Sequence, residues 1–246
     1  MKKLTEIESK QYWINTHNKV KGDLASVCFP DKPSYFNLFF DRMQRYALNK
    51  FFRKDRISFE GKRILDIGCG RGRWLSFYEK KHKAIVRGID LSKDAVQVCE
   101  SKGFKVCQGS IAELPFEDKC FDFVNSITVL MHVPLELKAK AMNEISRVLK
   151  KGGRAILIES TWEDPSPHVF GLPVSGWTQI FNRSDMKLIF KTAHYFNVFR
   201  TNLPSFVLCR DYLAISFDYP LEYILMNYFY GRESDIALQH LMIFAK

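Results

Sequence analysis

Between Gly61 and Glu159 short apolar, β-branched runs alternate with segments of helical character, and that rhythm restricts the chain to very few folds. The runs span residues 63 to 67, 84 to 89, 104 to 107, 121 to 127 and 154 to 159. They carry little polar alternation, as expected of strands buried on both faces. The segments between them are punctuated as helices. Ser92 can cap one that ends near Gly103. Pro134 can open another, in which Leu137, Ala141, Ile145, Val148 and Leu149 share a face, with Lys150 and Lys151 in the last turn and Gly152 beyond. Strand and helix repeated in this way predict an α/β fold with a doubly wound parallel sheet.

Outside this core the pattern is different. Ser34 is an N-cap candidate for a helix in which Phe36, Phe39, Phe40, Met43, Ala47 and Phe51 recur at helical spacing, with Arg42, Arg45, Lys50, Arg53, Lys54 and Arg56 between them. Residues 1–58 are therefore expected to form an amino-terminal helical cap, and residues 59–246 the sheet domain with an insertion at about 160–182. After a loop-rich stretch at 161–177, the pattern predicts a helix from about Ser184 to Lys191 and a strand near Tyr195 to Thr201. An aromatic helical region around 211–230 and a last strand near Leu238 to Ala245 follow.

A chain of 246 residues with 46% hydrophobic composition can bury roughly 70% of its unfolded surface, so no disulfide or metal is needed to hold a core. The 6 cysteines show no CxxC pair and no zinc spacing, which predicts reduced thiols and no metal site. No apolar run reaches the roughly 20 residues of a membrane span, and the polar start predicts a cytoplasmic protein. A net charge of +10 suits nucleic acid, an anionic membrane surface or a phosphorylated substrate, and does not choose among them.

The segment 64–72, IleLeuAspIleGlyCysGlyArgGly, sets three glycines at alternate positions between a strand and a helix, where backbone can approach a ligand closely. Asp90 follows the second strand, where a carboxylate can take ribose hydroxyls, so the pair predicts a nucleoside-containing ligand. A dinucleotide site would have a glycine where Arg73 stands, and an arginine there would obstruct close packing of helix on strand.

The segment instead resembles motif I of the class I S-adenosylmethionine-dependent methyltransferases, with Asp66, Gly68, Gly70 and Gly72 in the acidic-x-Gly-x-Gly-x-Gly pattern. Residues 88–92 resemble that family's second-strand motif, 109–123 its adenine loop and fourth strand, and 149–159 its fifth-strand motif. The resemblance implies a Rossmann-like seven-stranded sheet, mostly parallel with an antiparallel last strand, and S-adenosyl-L-methionine as cofactor. It also implies roles for individual residues. Gly68, Cys69 and Gly70 pass beneath the methionyl part, Asp66 holds its ammonium group, Asp90 takes the ribose, Leu91 walls the adenine, and Ser110, Ile111 and Ala112 lie against adenine. Many members have an acidic residue where this chain has Ser110, whose hydroxyl is a weaker acceptor. Read without the resemblance, Asp66 braces the glycine loop, Leu91 is a core residue and Cys69 fills space.

Methyl transfer is an in-line displacement that depends mostly on orientation. Where a proton must also leave, the candidate bases are His132 first, before Glu159 or His168, with capping or solvation as the plain alternative for each histidine. The acceptor is expected between the amino-terminal helices and the segment after the fifth strand. There Tyr12, Trp13, Tyr35, Tyr46, Trp162, Phe170 and Trp177 can wall a pocket or form the core of the cap. The leading expectation is transfer to oxygen or nitrogen of a small molecule such as a sugar or nucleotide-linked metabolite. An anionic acceptor could meet Arg42, Arg45 and Arg73. The alternatives are an RNA or protein methyltransferase, which the basic charge favours, and a cofactor-binding partner subunit without catalysis.

Overall fold

The computed structural model describes residues 2–19, 34–194, 220–234 and 237–246, without the side chains of Asn18, Ser34 and Tyr35. Seven strands form one sheet: β1 (Arg63–Ile67), β2 (Ile85–Asp90), β3 (Val106–Gln108), β4 (Phe121–Ile127), β5 (Leu149–Ser160), β6 (Lys187–His194) and β7 (Gln239–Ala245). Their order is β3-β2-β1-β4-β5-β7-β6. Pairing is parallel from β3 through β5, whereas β7 runs antiparallel between β5 and β6. The chain order reverses at β1 and β4, and the carboxyl ends of these strands open a crevice there, the usual ligand position in such sheets.

Helices cover both faces, which is why Ala155 to Ile158 in the middle of β5 are all 0% exposed. One core joins α2 (Ser34–Lys54), α3 (Arg73–Ser76) and the π-helical turn Phe77–Lys81 to Ile64, Phe123, Ile127, Ile156 and Ile158 of the strands. The other joins α5 (Leu135–Val148) and α6 (Val174–Asn182) to Leu65, Val124, Leu157 and Phe244. α4 (Lys93–Ser101) is capped as its sequence suggests, the Ser92 hydroxyl accepting from the Ala95 amide at 3.2 Å. α1 (Glu6–Lys19) and a helix at 220–228, α7, complete the described elements. None of these helices is long and apolar enough to cross a membrane.

Two local expectations are corrected. The helix expected from Ser184 to Lys191 is strand β6, and the helix of that region is α6, ending at Asn182 before the left-handed turn at Asp185 (φ 57°). A short apolar run has no period that separates helix from strand; here the antiparallel partner β7 decides, with Thr192 opposite Leu241 and His194 opposite Gln239. Lys150 and Lys151 lie not in the last turn of α5 but at the start of β5, where Lys150 meets Asp122 at 2.9 Å. The strand expected near Tyr195 to Thr201 falls outside the described residues, as does the helical region at 211–230 before residue 220.

The helix read from the phenylalanine spacing is α2, and it lies inside the first core. Phe40, Met43, Leu48 and Phe51 are at most 1% exposed. Phe51 stacks on Phe190 of β6, ring centroids 4.6 Å apart. Phe51→Ala is expected to cost about 3–5 kcal/mol in urea unfolding, the scale of a large core aromatic lost to a cavity, and a loss below about 1 kcal/mol would contradict this docking of α2.

Candidate active site

The turn after β1 is shaped by left-handed glycines. At Gly68, φ is +63°, and a Cβ there would sit 2.5 Å from Val129 Cγ2 in the segment after β4, so no side chain fits. The Cys69 amide donates to Ile89 O (3.1 Å), and the Gly70 amide donates to Asp90 Oδ2 (2.8 Å). Asp90 Oδ1 accepts from the Ser92 amide at 2.9 Å. Asp90 therefore ties the glycine turn to the start of α4, and each of its oxygens keeps a further lone pair. Cys69 is buried, with its Sγ beneath the turn, and Cys99 Sγ donates to Gly70 O at 3.1 Å. The bond with Cys99 and burial push the Cys69 thiol well above its ordinary value, which leaves it unreactive. Leu91 is half-buried, and its carbonyl accepts from Gln108 Nε2 (3.0 Å). The Ser110 hydroxyl accepts from the Ala112 amide at 3.2 Å, which braces its own turn. Ile111 is half-buried and Ala112 buried.

Asp66 faces the α2 side of the sheet and is 1% exposed. Its Oδ1 accepts from Asn125 Nδ2 at 2.6 Å, and Asn125 Oδ1 accepts from the Tyr78 hydroxyl at 2.9 Å. Oδ2 is buried without a partner. Burial pushes the carboxyl up to about 7 against the pull of Asn125 and Arg73. Arg73 does not crowd the strand. It reaches α2, where Nη1 donates to Gln44 Oε1 (2.8 Å) and pairs with Asp41 Oδ1 (3.1 Å). Arg45 pairs with the same carboxylate at 2.7 Å. Two of the three arginines named for an anionic acceptor thus share the single carboxylate of Asp41, and the third, Arg42, is exposed.

The segment after β4 turns sharply through a 3₁₀ turn, Leu130–His132. Glu159, 0% exposed, organises that turn. Its Oε1 accepts from the Leu130 and Val129 amides (3.0 and 3.3 Å) and from Ser126 Oγ (3.2 Å), and Oε2 accepts from the Met131 amide (2.9 Å). Lys138, also buried, donates to the Leu130 carbonyl. Burial pushes Glu159 up and Lys138 down, and the two charges favour each other's ionised form. With four donors on two oxygens, Glu159 is placed as a brace.

His132 and His168 are brought together, as are both segments expected to wall the acceptor. His132 Nδ1 lies 2.8 Å from His168 O; a carbonyl only accepts, so Nδ1 carries the proton and Nε2 the lone pair. α1 lies over them. Tyr12 stacks on His168 (4.4 Å) and Trp13 packs on His132 (4.3 Å). Lys3 donates to the carbonyls of Asp164, Ser166 and Val169, and the Leu4 amide to Pro167 O, so α1 is stitched to the segment after β5. Farther along α1, His17 is buried with Nδ1 unpartnered among the described residues, and burial brings its ring below the ordinary value against the pull of the Asp90 charge. Asn125, Tyr78, Lys138 and His17 were not singled out from sequence. Asp41 and Gln44 had one available signal, polar residues three apart on an otherwise apolar helix stripe.

Residues 65–157 match the family model described as a methyltransferase domain. Demethylmenaquinone methyltransferase of Staphylococcus aureus strain MRSA252 is 30% identical over 188 residues, 63% of this chain and 76% of the relative. The chain belongs to the class I S-adenosylmethionine-dependent methyltransferases. The same enzyme of strain JH9 is 34% identical over 125 residues, and there the chain spans about half of the relative, 51%. Among solved structures, geranyl diphosphate C-methyltransferase from Streptomyces coelicolor shares the fold at a TM-score of 0.63 and 16% identity, covering 97% of each chain. Magnesium protoporphyrin IX methyltransferase from Synechocystis does so at a TM-score of 0.63 and 12% identity, over 98% of this chain and 100% of its own. For this methyltransferase the orphaned oxygen of Asp66 and the side-chain-free cradle at Gly68 suit a cofactor with a cationic amino-acid end.

The methyltransferase holds His132 neutral, since burial brings it down to about 3 against the bond to His168. The unfolded chain takes that proton near 6.5. Stability from the neutral ring is complete above about 6.5 and is lost as pH falls from there toward 3. His132→Phe lacks this dependence. In urea unfolding at successive pH values below 6.5, the variant should gain on the wild type by up to about 1.4 kcal/mol per pH unit, and parallel curves would contradict a His132 held neutral in the fold.

Proposed function

We propose that this methyltransferase acts on a small, neutral, oxygen-bearing ring acceptor of the quinol type, enclosed beneath α1. The observation that carries this reading is the closure itself. Tyr12 and Trp13 lie on His168 and His132 while Lys3 fastens the helix to the segment after β5, so aromatic surface covers the carboxyl edge of the sheet. A covered apolar site suits a flat small molecule and excludes water from the reacting atoms. An RNA or a phosphorylated acceptor would need cationic side chains facing it, whereas Arg45 and Arg73 are drawn onto α2 by the carboxylate of Asp41 that they share. The staphylococcal relatives, named for demethylmenaquinone, point to the same class of acceptor.

S-adenosylmethionine supplies an electrophilic methyl group when bound. In this reading Gly68, Cys69 and Gly70 cradle its methionyl part through backbone, Asp66 takes the ammonium group with Oδ2, and Asp90 takes the ribose with its remaining lone pairs. Leu91, Ile111 and Ala112 flank the adenine, beside Ser110. His132 stands first for contact with the acceptor, because the bond to His168 O leaves Nε2 as a lone pair beneath Trp13. A ring held neutral down to about 3 orients a hydroxyl better than it removes a proton. Glu159, filled by its donors, supports the turn rather than the chemistry.

Incubation with S-adenosylmethionine and 1,4-dihydroxynaphthalene under anaerobic, reducing conditions should yield S-adenosylhomocysteine and a singly methylated product by mass spectrometry. Methyl incorporation into RNA instead would overturn the reading. Trp13→Ala should lower kcat/KM for the diol by about 10²-fold, the scale of lost orientation, with little change in cofactor affinity. Asp66→Ala should weaken S-adenosylhomocysteine binding by about 1.5–3 kcal/mol in calorimetry, and an unchanged affinity would remove Asp66 from the cofactor site.

A further inference from the structure

One rung at the carboxyl edge of the sheet runs from Ser160 of β5 through Gln239 of β7 to His194 of β6. His194 is 0% exposed, and among the described residues neither of its ring nitrogens has a hydrogen-bond partner. Beside it Gln239 is buried with an unpartnered Oε1. α2 packs over this end, with Phe40 6.4 Å from the His194 ring, centroid to centroid. One turn farther along α2, Gln44 is fully buried. Its Oε1 takes Arg73, while its Nε2 has no partner. A buried polar atom that gives up water and gains no bond is costly, so folded proteins seldom keep one without a use. Here three side chains on three elements leave four such atoms at the ligand-binding edge.

We propose that His194, with Gln239 and Gln44, forms the far end of the acceptor site and holds a neutral hydroxyl or keto oxygen of the acceptor ring. This rests on the ring-acceptor reading above and adds which residues recognise the acceptor. The chemistry matches atom by atom: a neutral imidazole presents one N–H and one lone pair, Gln44 presents an amide donor and Gln239 an amide acceptor. Burial, and secondarily His240, bring His194 down to about 3, so the ring carries no charge to attract a phosphate or carboxylate. The position fits as well. Gln44 is fastened through Arg73 to the segment directly after the glycine turn. Phe40, about 6 Å away along the helix, reaches His194, so the polar seam runs from the cofactor end of the site across α2 for the length of one or two fused rings.

The test uses the full-length protein loaded with S-adenosylhomocysteine, with 1,4-dihydroxynaphthalene as the probe under anaerobic, reducing conditions. His194→Phe keeps the ring and removes both nitrogens. The variant should bind the diol about tenfold more weakly or worse and S-adenosylhomocysteine as the wild type does. Without ligands it should melt no lower than the wild type, because no bond has been lost. His194→Gln, which restores a donor and an acceptor, should recover part of the affinity. Independently of any variant that fails to fold, the imidazole ¹⁵N signals of His194 in the wild type should shift when the diol saturates the protein. Equal diol affinity in His194→Phe, or unmoved His194 signals at saturation, overturns the proposal. If the wild type and His194→Phe methylate the diol alike, the ring-acceptor reading stands and His194 falls. If the wild type neither binds nor methylates the diol, both fall.

Discussion

The buried carboxylate of Glu159 gathers the Val129, Leu130 and Met131 amides and the Ser126 hydroxyl at the end of β4, and several other placements follow from that gathering. The turn it holds sets Val129 against Gly68, so the glycine cradle has its width only while the turn keeps its shape. The same turn delivers His132 to the His168 carbonyl. Lys138 closes the arrangement from α5 by bonding the Leu130 carbonyl while its ammonium lies 4.5 Å from the Trp177 ring centroid, and Trp177 Nε1 in turn donates to Ser160 O at 3.1 Å. An isolated carboxylate would not stay ionised at this depth; amides, hydroxyl and ammonium together make the site tolerable.

On the other side of the glycine turn a second charged centre does related work. Asp41 receives both Arg45 and Arg73, and through Arg73 it links α2 to the residues that follow the cofactor turn. Helix α2 is thereby locked twice, by phenylalanines packed on the sheet and by an ion-pair cluster at the rim of the site. The apolar residues from Phe39 to Phe52 of α2 are consequently part of the first core.

The strands β1 to β5 and the glycine turn were legible because their signals are local: buried runs of the right length, a cap at Ser92, a proline before α5, and glycines with an acid after the next strand. β6 was not, because Leu188 to Thr192 becomes a strand only by pairing with residues some fifty positions later in the chain. The role of Glu159 is not legible in the sequence for a similar reason. A carboxylate at a strand end can be a base or a brace, and the choice is made by the backbone amides that converge on it. Arg73 was expected to obstruct the packing of helix on strand, and its partners on α2, which draw it away from the strand, could not be read from spacing. His194 carried no sequence signal, since its interest lies in what fails to reach it.

Lys3 gives the cover over the site a particular mechanical character. Its one ammonium group binds three carbonyls of the segment after β5 and the Leu4 amide adds a fourth bond to Pro167 O, so helix and segment are joined just before α1 begins, with the aromatic contacts of Tyr12 and Trp13 farther along. Such a fastening peels rather than slides. Release can begin at Lys3, whose exposed bonds to Asp164 and Ser166 exchange readily with water, and each step along α1 from there uncovers one more ring of the site. The cover can thus come off in small increments, and no step requires the sheet or its cores to rearrange.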